Sequence, residues 1–236
     1  MLRKSASPLC LLLCGGWLLL ATEVVAAGNE TLELNEETGA TAGAADPSAV
    51  EPATIDGFRS ASFGMTEAEV RTAIATDFGV ADDQIEAGTN ALEKTTSLGI
   101  AVSDLVPDSG PARVVYIFGY ESQALIQVNI VWGTEADSDN DRIRNAASLL
   151  VSYFRSQNYN PEKTAVGVQL ANGALLAFYA EDADGSSVTL TVASRPTGEA
   201  APEGSEEPAP ERLLMQLSYV GDFANPDIFR LAPGSF

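Results

Sequence analysis

Between Leu98 and Val220 the apolar residues recur at every second position, in segment after segment, and this period constrains the fold more than any other feature of the chain. Successive side chains on a strand point to opposite faces, so a period of two buries one face of a sheet and leaves the other wet. Leu125–Trp132 sets Ile126, Val128, Ile130 and Trp132 against Gln127 and Asn129. Val188, Leu190 and Val192 alternate with Thr189 and Thr191, and Leu213, Met215, Leu217 and Tyr219 share one face. Leu98–Val102, Arg113–Phe118, Val166–Leu170 and Ala174–Tyr179 read as further strands. Gly119–Gln123 joins two of them, Asn172-Gly173 is a strong hairpin signal, and Asp184-Gly185 makes another turn.

Two segments repeat at helical spacing instead. Thr66 caps the first, Glu69 completes a capping box, and Met65 with Val70 supplies a hydrophobic staple. Val70, Ile74 and Phe78 then share a face, and Gly79 ends the helix. The second starts within Asp137–Asp141 and places Ile143, Ala147, Leu150, Val151 and Phe154 on one side. Asn158-Tyr159-Asn160-Pro161 stops it. The predicted order is α-βββ-α-ββββ. An α+β fold follows, an antiparallel sheet with two helices packed on one face. No repeat is evident at the level of residues.

Both cysteines, Cys10 and Cys14, lie in the first 27 residues. Those residues have the form of a secretory signal: Arg3 and Lys4, an apolar run from Leu9 to Ala21, and Val25-Ala26-Ala27 before Gly28. Leu13 and Leu9 precede the cysteines where a lipobox needs a small residue. The reading is a periplasmic protein, touching a membrane only if the signal stays as an anchor. The processed chain then has neither Cys nor His, which excludes disulfides, thiolate nucleophiles and imidazole chemistry. Its 13 basic and 33 acidic residues lose Arg3, Lys4 and Glu23, leaving 11 and 32 and a net charge of −21. So acidic a chain repels phosphate backbones and anionic lipid, so neither nucleic acid nor a lipid surface is expected as a partner.

Residues 28–57 are poor in large apolar groups and read as a disordered leader. Residues 194–211 read as a disordered loop inside the single domain at 58–220, and 221–236 as a C-terminal tail.

No catalytic signature emerges. Asp137, Asp139 and Asp141 have the spacing of the first ligands of a calcium loop, but Arg142 stands where that loop needs Gly and Ser148 where it needs Glu. Helix capping accounts for them. Glu181-Asp182-Ala183-Asp184 reads as a turn. There is no G-x-S-x-G, S-x-x-K or phosphate-loop pattern. No catalytic residue, metal ligand or cofactor is assigned. The aromatic residues Tyr116, Tyr120, Trp132, Phe229 and Phe236 are the candidates for partner binding, with core packing as the competing role for the strand aromatics.

Phe63-Gly64-Met65-Thr66-Glu67-Ala68-Glu69-Val70 resembles the G-M-T-x-x-E-V helix opening of the SmpA/OmlA family. Those are small bacterial envelope proteins that help the outer-membrane β-barrel assembly machine, with a helices-on-a-sheet fold shared with β-lactamase inhibitor proteins. The chain also resembles exported alphaproteobacterial proteins. The resemblance implies a non-catalytic binding or scaffolding role in envelope assembly, with a protein partner. Two alternatives are an inhibitor of a secreted hydrolase, presenting Gly119–Gln123, and a carboxylate-dependent hydrolase.

Overall fold

A short hairpin, β1 (Gly57–Phe58) and β2 (Ala61–Ser62), leads into helix α1 (Glu67–Phe78). Four strands follow: β3 (Glu86–Thr89), β4 (Thr96–Val102), β5 (Ala112–Phe118) and β6 (Leu125–Trp132). Helix α2 (Asn140–Arg155) precedes four more: β7 (Thr164–Gln169), β8 (Leu175–Glu181), β9 (Ser187–Pro196) and β10 (Glu211–Val220). The computed structural model describes residues 51–135, 138–196 and 211–231. Residues 1–50, which include the expected signal and most of the expected leader, and Ala136, Asp137, residues 197–210 and residues 232–236 lie outside them.

β3–β10 form one antiparallel sheet in the order β3-β4-β5-β6-β10-β9-β8-β7. Each helix is followed by a four-stranded meander, and the last strands of the two meanders meet at the centre. The chain is therefore a structural repeat of two α-ββββ halves. Across the central seam Met215 faces Trp132, Leu217 faces Ile130 and Tyr219 faces Val128. These residues form one core with Val70, Ala73 and Ile74 of α1 and Ile143, Ala146, Ala147 and Phe154 of α2. Both helices pack on this face.

Helix α1 starts as its capping box requires. The Glu69 amide donates to Thr66 Oγ1 at 3.4 Å and the Thr66 amide to Glu69 Oε2 at 2.8 Å. It ends at Gly79, whose φ of 65° is the left-handed conformation that glycine adopts without a Cβ clash. Asp139 caps α2 by accepting from the Asp141 amide at 2.8 Å. Asn140 then reaches across to β10: its amide donates to the Glu211 carbonyl and accepts from the Leu213 amide.

The first strand of the first half, β3, has no signature in the sequence. Glu86-Ala87-Gly88-Thr89 is exposed at every position, because an edge strand held by backbone pairing to β4 needs no apolar face. The expected inward position of Ile126 also changes. A register shift at Ile117/Phe118 sets Phe118 opposite Leu125, so Leu125 turns inward and Ile126 is only half-buried. β9 and β10 run on to pair Pro196 with Glu211, so the segment expected to be disordered from 194 to 211 is partly strand. The leader folds earlier than expected as well. Ile55 is buried, and its amide donates to Asp182 Oδ2 at 2.9 Å. The Ala53 amide donates to the Asn158 carbonyl.

Candidate functional site

The turns at one end of the sheet are spanned by the chain after β10. The Phe223 amide donates to the Gly185 carbonyl between β8 and β9. The strap then crosses to the β5–β6 hairpin loop. There the Asp227 carboxylate accepts from the Glu121 amide at 3.0 Å and the Ser122 amide at 2.8 Å. Partial burial pushes this carboxyl upward, but the hydrogen bonds from Ser122 and Glu121 outweigh it and hold the group below its ordinary range. The Tyr120 amide donates to the Asp227 carbonyl at 2.9 Å, and the Phe229 amide to the Glu93 carbonyl at 2.8 Å. The Phe229 ring meets Tyr120 edge-on at 5.5 Å, with Lys94 Nζ 3.7 Å from its centroid.

Two of the aromatic candidates, Tyr120 and Phe229, are therefore brought together, with each other. Two more are removed from the contact surface. Tyr116 and Trp132 are both 0 % exposed, on the helix-covered face, where strand register sets Tyr116 beside Val128 and Trp132 beside Ala112 and Met215. This corrects their assignment to partner binding, because a residue with no exposed surface cannot meet a partner. Trp132 Nε1 donates to Ser109 Oγ at 3.1 Å, tying the β4–β5 loop to the sheet. Phe236 lies outside the described residues. Asp227 and Lys94 were missed, since only their docking distinguishes them from surface charges.

The Tyr116 hydroxyl has no hydrogen-bond partner among the described residues. Burial raises its pKa well above the phenol range, the Asp77 charge adds to this, and Arg59 opposes it. An orphaned buried hydroxyl costs stability. Tyr116→Phe is expected to raise the unfolding free energy by about 1 kcal/mol. A urea titration that showed a lower midpoint would reveal a partner for this group.

Over the sheet centre a cleft of about 440 Å³ opens between α2 and residues 53–59. Ile130, Trp132, Leu217 and Tyr219 contribute to its lining, with Phe154 and Tyr153 from α2. Among the described residues its one carboxylate is Asp56, where acid–base hydrolysis uses two. The pKa of Tyr159, which also lines it, is pushed up to about 12 by burial, with smaller effects of Tyr153 and Asp182.

The acidic turn after β8 has a structural use. Asp182 is buried, Oδ1 accepts from the Asp184 and Ser186 amides, and Oδ2 accepts from Ile55. Asp139 is committed to its helix cap, and Asp137 lies outside the described residues.

The second face of the sheet bears neither helix. On its central strands β5, β6, β9 and β10 the outward positions include Gln127, Asn129, Thr189, Thr191, Gln216 and Ser218, and no Asp or Glu. Gln127 Nε2 donates to Asn129 Oδ1 at 2.8 Å and Gln216 Nε2 to Ser218 Oγ at 3.0 Å.

No family model, curated protein or solved structure matches the chain. Among the described residues no helix is long and apolar enough to cross a membrane.

Proposed function

We propose that this protein is a non-catalytic binding or scaffolding component of the bacterial envelope, exported to the periplasm and engaged in outer-membrane assembly. The observation that carries this reading is the open sheet face. In a chain of net charge −20, the outward positions of its four central strands hold no carboxylate: amides and hydroxyls occupy the middle, with apolar side chains and Arg113, Arg195 and Arg212 around them. Such a face is cheaper to desolvate against a protein than the surrounding acidic surface, because burying a neutral amide that finds a partner costs far less than burying a charge. The export signal and the SmpA/OmlA-like helix opening supply the location and the class of partner.

The inhibitor alternative is weakened, because Gly119–Gln123 is already engaged by Asp227. The hydrolase alternative lacks a second carboxylate among the described residues of the cleft lining.

The test is affinity purification of the tagged, exported full chain after mild crosslinking, with mass spectrometry of what is recovered. Barrel-assembly or other envelope subunits are expected at near-stoichiometric yield. Asn129→Glu combined with Gln216→Glu is expected to lose them while the circular dichroism spectrum is unchanged. Recovery of the protein alone, or of one soluble hydrolase, overturns the scaffold reading.

A further inference from the structure

We propose that the loops at 90–94 and 119–123 form a docking site for protein segments carrying Asp-x-Phe, occupied in this chain by its own Asp227-Ile228-Phe229. The site recognises its occupant in three chemically different ways. The carboxylate of the first residue lies across a fork of two backbone donors, Glu121 and Ser122, one to each oxygen. Gly119 makes room for it, since a Cβ there would collide with Asp227 Oδ2. The main chain is gripped at both ends, by the Tyr120 amide at one and by the Glu93 carbonyl at the other. The ring two residues on meets Tyr120 edge-on, and the Lys94 ammonium lies over both rings. An anion and an aromatic ring at positions i and i+2 satisfy all of these, and the residue between them is left unspecified.

The occupant is also separable from the domain. No residue from 221 to 231 is buried, so its release removes no buried side chain from the core. Phe223, between the sheet and the docked motif, is 46 % exposed. The strap is held at its tip by the docking site, with a short tether behind it. Its effective concentration at the site is therefore on the order of millimolar, and it acts as a competitor to any other segment with the same motif. The ligand class is a peptide segment presented by a partner protein, read by Asp and Phe.

The test uses isotope-labelled full-length protein and the capped heptapeptide Asn-Pro-Asp-Ile-Phe-Arg-Leu, which copies residues 225–231. The Glu121 and Ser122 amide resonances are the reporters. In the Asp227→Ala protein these resonances are expected to leave their wild-type positions. Addition of the heptapeptide to about 10 mM, above the effective concentration of the tether, is expected to return them. A heptapeptide with Ala in place of its Asp is expected to have no effect. Wild-type protein is expected to respond at least tenfold more weakly, because its own strap fills the site. The proposal is overturned if the resonances of the variant fail to return, or if variant and wild type respond alike. Should Asp227→Ala not fold, Phe229→Ala releases the half-buried ring instead, and the same titration decides. None of these readouts requires an envelope partner, so their failure leaves the scaffold reading standing, and the reverse also holds.

Discussion

Trp132→Ala lowers the unfolding free energy by about 3–5 kcal/mol, the largest loss expected of any substitution at an aromatic of the central sheet. The indole is 0 % exposed on β6, with Ala112 beside it on one neighbouring strand and Met215 on the other. Truncation removes its dispersion contacts at the seam where the two halves join, and the rigid strands on either side cannot close the void. It also removes the bond from Nε1 to Ser109, itself buried, and so frees the β4–β5 loop. The measurement is urea unfolding followed by circular dichroism. At a slope of about 2 kcal/mol/M the midpoint falls by about 2 M. Were Trp132 a contact for a partner, truncation would weaken binding and leave the midpoint in place. A midpoint shift below about 0.5 M would contradict the core assignment.

Asp182→Ala is expected to cost about 3 kcal/mol, although the residue is acidic and sits in a turn. Three backbone amides lose their acceptor at once: Ile55, Asp184 and Ser186. Water reaches the turn partners more easily than it reaches Ile55, which is only 3 % exposed. Asp182→Asn separates the contributions. Its remaining oxygen can keep the Asp184 and Ser186 bonds, and its NH2 group then faces the Ile55 amide, donor against donor. The loss falls to about 1 kcal/mol and is local. Amide hydrogen exchange is the decisive measurement: Ile55 exchanges faster in the Asn protein, while Ser186 keeps its protection. Equal acceleration at both positions would mean that the turn and the N-terminal segment form one cooperative unit.

Much of this architecture is written in local pattern. The capping box at Thr66 and Glu69, the Gly79 stop and the Asn172-Gly173 turn each depend on residues a few positions apart, and each forms as its chemistry dictates. The alternation along β6, β9 and β10 depends on burial of one sheet face, so it marks those strands directly. β3 leaves no such trace, because its stability comes from pairing with β4 and no side chain of Glu86-Ala87-Gly88-Thr89 is buried. The inward turn of Leu125 also escapes the pattern, since it is set by a register shift against the neighbouring strand.

The site divides in the same way. That Tyr120 and Phe229 matter is readable from their types, but that they meet each other is not, with more than a hundred residues between them. Tyr116 and Tyr120 are the same residue type four positions apart, and differ in that Tyr116 lies buried on β5 while Tyr120 lies in the turn beyond it. By itself the sequence determined the α+β class, the two helices and their ends, the alternating faces of β9 and β10 and the absence of any imidazole or thiol after residue 27. These follow from period, capping and composition, which are local or additive. Only the tertiary structure decided the joining of the two halves at β6 and β10, the use of Asp182 to hold Ile55, and the docking of Asp227 on the 119–123 loop. Each of those joins groups far apart in the chain, and their energy comes from a geometry that exists only once the sheet has closed.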